Sequence, residues 1–174
     1  MSNKENLVAS KILTGISKSP GLLWEKLEIF QDKLKKVNGC LTHNVGEEQS
    51  KGLKEVAPLE HHFEGGLYTR ELFMPKGVFI VSLIHKKQHP SFLLEGEVSF
   101  ITDEGELKRI KAPYKVFTQI GTQRVFYVHK DSRWCCVNKT NATTVKEAEL
   151  DIYVNKYLEL PKEVLNKNKE LCQQ

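Results

Sequence analysis

The sequence predicts a mainly β fold, a sandwich or barrel of short antiparallel strands with helical extensions at both ends. Three observations predict it. Between about 63 and 140, turn signals recur every 8 to 12 residues. The stretches between them are of strand length and rich in β-branched and aromatic residues. The flanking segments instead carry apolar residues at helical spacing.

The chain has 174 residues, enough for one domain with a core and short appendages. With 28% charged and 40% hydrophobic residues it reads as an ordinary globular domain. A net charge of +4 is far from a nucleic-acid-binding extreme, so no nucleic-acid partner is expected. No run of about 18 apolar residues occurs, so no membrane span is expected. The opening MSNKENLVASKILTG lacks the apolar core of a secretory signal. Cys40, Cys135, Cys136 and Cys172 form no CxxC pair, which speaks for reduced thiols in a cytoplasmic setting and against a zinc cluster.

Three regions follow: a helical or irregular extension (1–62), the strand block (63–140) and a helical tail (141–174). Ser19-Pro20 is expected to open a helix, with Ser as cap and Pro in the first turn. Leu23, Leu27, Phe30, Leu34 and Val37 make one apolar stripe, and Asn38-Gly39 ends it. Leu41 to Leu59 reads as a long connector. In the block, Gly65-Gly66, Pro75-Lys76-Gly77, His89-Pro90, Glu95-Gly96, Ala112-Pro113, Gly121 and Lys130-Asp131 read as turns, and Asp103-Glu104-Gly105 as a hairpin tip. They separate VFIVSLI, SFLL, EVSFIT, ELKRIKA, KVFTQI, RVFYVH and RWCCVN. In the tail, Thr144 with Glu147 forms a capping box. Leu150, Tyr153, Val154 and Tyr157 are expected on one helical face, and Pro161 is expected to start a second, polar helix, KEVLNKNKELC.

The strand block resembles a cupin. In the first motif of that family a Pro-x-Gly turn leads into a strand bearing His-x-His, a Glu follows about four residues later, and an apolar strand ends at a Gly. Here the frame is Pro75-Lys76-Gly77, VFIVSLIH and SFLLEG. Anchored on Gly96, His85 takes the second histidine position, His89 the position of the Glu, and Leu83 that of the first histidine. The second motif runs from Pro113 to Gly121-Thr122-Gln123-Arg124, and Arg124 stands where a third histidine would be. The resemblance covers roughly 63 to 140. It implies a double-stranded β-helix, or jelly-roll barrel, and a divalent transition metal (Zn, Fe, Mn or Ni) as the family's usual cofactor. The runs PLEHHFEGGLYTRELFMPKG, HKKQHPSFLLEGEVSF, RIKAPY and IGTQRVFYVHKDSRW are similar to cupin-like proteins of bacteriophage and prophage genomes. That likeness implies a viral origin, with the host cytoplasm or the virion as location. Where that group often carries an extra histidine, this chain has Lys87.

His85 and His89 are the first site candidates. On one straight strand they would stand about 13 Å apart, too far to share an ion. A turn through Lys86-Lys87-Gln88 would bring them together. A third ligand is then required, and His129, His62 and Glu97 are the candidates. If Arg124 points into the barrel, His129 points out of it by strand parity. Arg124 itself repels a divalent cation and never deprotonates. Its fork suits a carboxylate or phosphate instead, with His85, His89, Arg70 and Tyr127 or Tyr114 completing an anion pocket. The plainer alternative pairs Arg124 with an internal acid such as Glu71 or Glu95. Arg70 faces either pocket or solvent. Adjacent His61 and His62 diverge on an extended chain, Lys86-Lys87 reads as a solvated turn, and Trp134 as core.

Three functions stay open. One is non-catalytic binding of a small anionic molecule. The second is a metal-dependent enzyme, such as a dioxygenase or isomerase, using His85 and His89, as many cupins do. The third is a structural or interaction module, a virion component or host-directed effector, suggested by the appended amphipathic helix. A homodimer or higher homo-oligomer is the expected assembly.

Overall fold

Two long strands organise the molecule. The computed structural model describes residues 3–165, with side chains from residue 7 onward. Helices α1 (Asn3–Lys18), α2 (Leu23–Lys35) and α3 (Lys51–Val56) precede β1 (Leu59–Glu64), β2 (Leu67–Met74), β3 (Phe79–Val81) and β4 (Ile84–His85). Then come β5 (His89–Ile101), β6 (Leu107–Lys111), β7 (Tyr114–Thr118) and β8 (Val125–Lys139). Helix α4 (Val145–Ile152), β9 (Tyr153–Val154) and a 3-10 turn (Tyr157–Glu159) follow.

Strands β5 and β8 pair antiparallel along their length, with register shifts between Leu93 and Val98. Each bends there and serves two layers. In the first, β1, β2, the C-terminal half of β8, the N-terminal half of β5 and β7 lie side by side. In the second, β3, the N-terminal half of β8, the C-terminal half of β5 and β6 do. This is a jelly-roll barrel, the mainly β fold expected from the turn spacing. Glu95-Gly96 and Lys130-Asp131 are therefore not turns between separate strands but bends inside single ones, and His89-Pro90 lies within β5. Bending preserves the ladder hydrogen bonds that a break would expose.

The bend has a steric basis. Gly96 has φ +88° and abuts Ser132, whose hydroxyl accepts from Glu97 N at 3.1 Å and donates to Lys130 O at 2.6 Å. Above it the inward residues of both layers fill the core: Met74, Leu93, Val98, Phe100, Ile110, Phe126, Val128, Trp134 and Cys136. Burying each large apolar side chain contributes about 1.5–3 kcal/mol.

The outer face of the second layer carries Val125, Tyr127, Ile101, Phe79 and Val81, and α1 and α2 cover it through Ala9, Leu13, Leu23, Leu27 and Phe30. The expected stripe is thus real, but α2 begins at Leu23 and not at Ser19-Pro20. Ser19 instead donates to Ile16 O at 2.9 Å at the end of α1, and Glu25 accepts from Leu22 N at 3.2 Å. Val37 is exposed. The expected connector contains α3, capped by Ser50, which accepts from Leu53 N.

The tail is not one amphipathic helix. Thr144 caps α4 as expected, accepting from Glu147 N at 3.3 Å. The buried face of α4 is Ala148, Glu149 and Ile152, while Leu150 is exposed. Tyr153 and Val154 leave the helix to pair with His85 and Ile84. Residues 162–165 are helical; the remainder of the second expected helix, with Cys172, lies outside the described residues. Cys40, Cys135 and Cys136 are free thiols.

A Cβ on Gly96 would sit 2.1 Å from Ser132 Oγ and 2.3 Å from Asp131 O. Gly96→Ala is expected to lower unfolding stability by at least about 2 kcal/mol, from positive φ and overpacking together. Urea denaturation measures this, and an unchanged midpoint would refute the role given to the bend.

Candidate functional site

Three of the four arms of β5 and β8 run from an apolar bend to a polar mouth. Inward positions change from Leu93 to Ser91 and His89 on one arm, from Trp134 and Cys136 to Asn138 on another, and from Val128 and Phe126 to Arg124 on a third. The mouth ends of the layers therefore face each other with buried polar groups.

His85 ends β4 and His89 begins β5, so the chain turns between them at Lys86-Lys87-Gln88. Backbone bonds hold the turn: His85 N to Thr122 O at 3.1 Å, Gly121 N to His85 O at 2.8 Å and Lys86 N to Ile152 O at 2.7 Å. The ring centroids of His85 and His89 are 4.6 Å apart, and both residues are buried. His89 Nδ1 donates to Lys87 O at 3.1 Å, which leaves the unprotonated Nε2 facing inward in the neutral ring. Burial first, then His89, Arg124 and Arg70, hold His85 well below the usual imidazole range. Burial and Arg124 also lower His89, against the Lys87 carbonyl. Both rings are neutral bases at pH 7.

Arg124 is buried, and its Nη1 donates to Thr118 Oγ1 at 3.0 Å. Thr118 Oγ1 lies 2.9 Å from Ser91 Oγ, itself 3.6 Å from Cys136 Sγ. The guanidinium stands 5.7 Å from the Phe100 ring centroid. Its acid is Asp103 of the hairpin tip, 3.5 Å from Nη2. Glu71 and Glu95, the acids expected from sequence, pair with Arg133 instead, at 2.5 and 3.7 Å, because they point out of the barrel.

Arg70 faces the barrel interior from β2. Its Nε is 3.6 Å from Glu149 Oε1, and its guanidinium carbon is 5.3 Å from the Tyr153 ring centroid. Glu149 is 1% exposed, yet accepts from His43 Nε2 at 3.0 and 3.1 Å and from Gly46 N at 3.0 Å. Those partners and Arg70 outweigh burial and hold its carboxyl below the usual range. Tyr153 meets His85 edge-on at 5.0 Å, and Tyr68 Oη lies 2.7 Å from His61 Nδ1.

Several sequence candidates are elsewhere. Tyr127 and His129 share the opposite parity from Arg124 on β8. Tyr127 packs under α1 and α2, and His129 Nε2 lies 2.7 Å from Ser99 Oγ. Glu97 also faces outward, bound by Arg109 at 2.6 Å and 2.7 Å. His62 is exposed on β1. Tyr114 packs against the core, Trp134 belongs to it, and Leu83 packs near Tyr68 and Tyr153. Lys86 and Lys87 are not merely solvated: Lys86 Nζ donates to Leu150 O, and Lys87 Nζ lies 2.5 Å from Asp151, which also accepts from Thr140 at 2.7 Å.

Sequence reasoning missed Thr118, Asn138, Glu149 and Tyr153. Strand parity with Trp134, read as core, could have marked Asn138. Nothing local marks Glu149 or Tyr153, which reach the mouth only because β9 pairs with β4.

Among the described residues, no group of three or more His, Cys, Asp or Glu side chains is placed to hold a metal ion. Two imidazoles beside two guanidiniums do not fit a catalytic metal, which needs about three protein ligands and an open position. What the mouth does hold is a set of buried polar atoms without a hydrogen-bond partner among the described residues: Arg70 Nε, His85 Nδ1, His89 Nε2, Arg124 Nε, both amide atoms of Asn138 and Tyr153 Oη.

No protein-family model matches the chain. No curated protein matches its sequence either. Similar solved structures include cupin-domain proteins. A cupin 2 domain-containing protein from Halorhodospira halophila has 8% identity and a TM-score of 0.44, covering 70% of this chain and 83% of that one. Ectoine synthase from P. lautus has 14% identity and a TM-score of 0.45, covering 55% and 71%. A putative ethanolamine utilization protein from Salmonella typhimurium has 18% identity and a TM-score of 0.41, covering 49% and 71%. At these values none of them says what this barrel binds.

The depressed histidines have a consequence for stability. Below the unfolded-chain value of about 6.5 the unfolded state takes up protons that the buried rings refuse. Stability is therefore fully present above that pH and falls below it, by up to about 1.4 kcal/mol per pH unit per histidine. Denaturation midpoints between pH 7.5 and 5 are expected to fall, and less steeply in His85→Gln/His89→Gln. Equal slopes in the two proteins would contradict neutral, buried rings.

Proposed function

We propose that the barrel binds a small anionic molecule at its polar mouth, without catalysing a reaction on it. The observation that carries this reading is the set of buried, unpartnered polar atoms contributed by Arg70, Arg124, His85, His89, Asn138 and Tyr153. Left dry, each would cost about 1–3 kcal/mol. Two guanidinium Nε–H groups, the Asn138 amide and the Tyr153 hydroxyl supply donors, so a ligand rich in acceptors, a carboxylate or phosphate, matches them. Asp103 and Glu149 offset the guanidinium charges at 3.5 and 3.6 Å, beyond good hydrogen-bond distance, and leave both Nε atoms unused. Two imidazoles beside two guanidiniums support binding over metal-dependent turnover. Phage origin, in the host cell or virion, belongs to the same proposal and rests on the short runs of sequence likeness.

A second reading is favoured by one geometric fact: the His85 and His89 rings are 4.6 Å apart, and each keeps a ring nitrogen unpartnered. They could hold a transition metal only if solvent or the ligand itself supplied the remaining donors.

Calorimetry and thermal shift with inorganic phosphate and with mono- and dicarboxylates test the first reading. One of these anions is expected to stabilise the protein by about 2.7 kcal/mol at a hundredfold excess over Kd. The gain should vanish in Arg124→Gln and in Arg70→Gln. No anion effect, or equal binding by both variants, refutes it. Elemental analysis after loading with zinc, iron, manganese or nickel tests the second: stoichiometric metal lost in His85→Ala/His89→Ala would favour it over anion binding alone.

A further inference from the structure

Two carboxylates stand beside the guanidiniums of the mouth, and their surroundings differ. Glu149, beside Arg70, is 1% exposed. Burial alone would raise its carboxyl, yet the bonds from His43 and Gly46 N and the charge of Arg70 hold it below the usual range. Asp103, beside Arg124, is poorly held. Its side chain is 33% exposed on the tip between β5 and β6, and its Oδ2 lies 3.5 Å from Arg124 Nη2. A charge-assisted hydrogen bond would be about 2.7–2.9 Å. Burial pushes the Asp103 carboxyl above the usual range, and Arg124 and a bond from the Thr122 hydroxyl do not make up for it.

Arg124 is 3% exposed, and the use of its donors is uneven. Nη1 donates to Thr118 Oγ1 at 3.0 Å. Nε and Nη2 form the edge of the guanidinium that takes a carboxylate bidentately. Asp103 engages Nη2 loosely, and Nε has no hydrogen-bond partner among the described residues. The backbone of the tip is fixed: Thr102 N donates to Glu106 O at 2.8 Å, Gly105 N to Thr102 O at 2.9 Å, and Ser17 Oγ of α1 to Gly105 O. Asp103 can therefore leave Arg124 by turning its own side chain into solvent. Glu149, enclosed and bonded through both oxygens, has no such exit. Exchange of one carboxylate for another at Arg124 adds no net charge to the buried mouth, which avoids the cost of an unpaired buried ion.

We infer that Asp103 is an internal competitor for the anion subsite: it stands at the Nε–Nη2 edge of Arg124, and a ligand carboxylate binds there by displacing it into solvent. The inference rests on the anion binding proposed above. It adds the group that the ligand presents to Arg124, a carboxylate, and the residue that sets its affinity.

Calorimetry of the full chain with acetate and succinate tests it, with circular dichroism as the check on folding. Asp103→Asn keeps the shape and removes the competing charge. It should bind the carboxylate about tenfold or more tighter than the wild type, because a competitor lowers apparent affinity by the fraction of the time it holds the site. Asp103→Ser should show the same gain independently. Glu104→Gln removes an equal charge from the next, exposed residue of the tip and should tighten binding by no more than about twofold. In Asp103→Asn/Arg124→Gln the gain should be lost. Equal gains from Asp103→Asn and Glu104→Gln would overturn displacement and leave only a field effect. Asp103 variants that bind no tighter than a wild type that does bind would overturn it too, with anion binding left standing. No binding of either carboxylate by the wild type or the Asp103 variants would overturn both this inference and the anion reading beneath it.

Discussion

The close approach of Gly96 to Ser132 is the constraint on which the architecture depends. Two strands can serve both layers of a barrel only if each bends without losing its partner, and the bend needs a residue with no Cβ where the backbones nearly touch. From that point the layers diverge. Residues near the bend are apolar and fill the core, while those at the far ends face one another across the mouth. The polar site is thus a product of strand length and bend position, and the same bend places Asp103, at the β5–β6 tip, beside Arg124.

Closure of the mouth depends on the tail. Helix α4 supplies Glu149, and β9 supplies Tyr153, so one short segment brings both a counter-charge for Arg70 and a ring against His85. Lys86 and Lys87 bind that segment through Leu150 and Asp151, and His43 and Gly46 bind it from the N-terminal side. Chain segments from before and after the barrel therefore meet over the interior. Cys136 remains protonated there, since burial pushes its thiol up, and its Sγ is within weak hydrogen-bonding reach of Ser91 Oγ at 3.6 Å.

Positive charge surrounds the two imidazoles at the mouth. The carboxylates there stand beside guanidiniums, Asp103 beside Arg124 and Glu149 beside Arg70, with His43 also bound to Glu149. The imidazoles are kept neutral by burial and by nearby positive charge, which favours accepting a hydrogen bond over pairing with an anion directly. In the anion-binding reading proposed above, the positive charge is that of Arg70 and Arg124, which stay protonated.

Much of the fold was written in local patterns. Turn residues marked Gly65-Gly66, Pro75-Lys76-Gly77 and the Asp103 hairpin tip, the 3-4 spacing marked the buried side of α2, and Thr144 with Glu147 marked the start of α4. Strand parity set Arg124 against His129, whereas Tyr127, of the same parity as His129, was expected in the pocket and packs under α1 and α2 instead. The required turn between His85 and His89 followed from reach alone. Only the tertiary structure decided that Glu95-Gly96 and Lys130-Asp131 bend strands and do not end them, since a glycine signals a turn and a bulge alike and the paired backbone settles which. It also decided that Asp103 and not Glu71 faces Arg124, that Tyr153 leaves its helix for a strand, and that Glu149 is buried. Each of those outcomes depends on partners far away in sequence, and local periodicity holds no information about them.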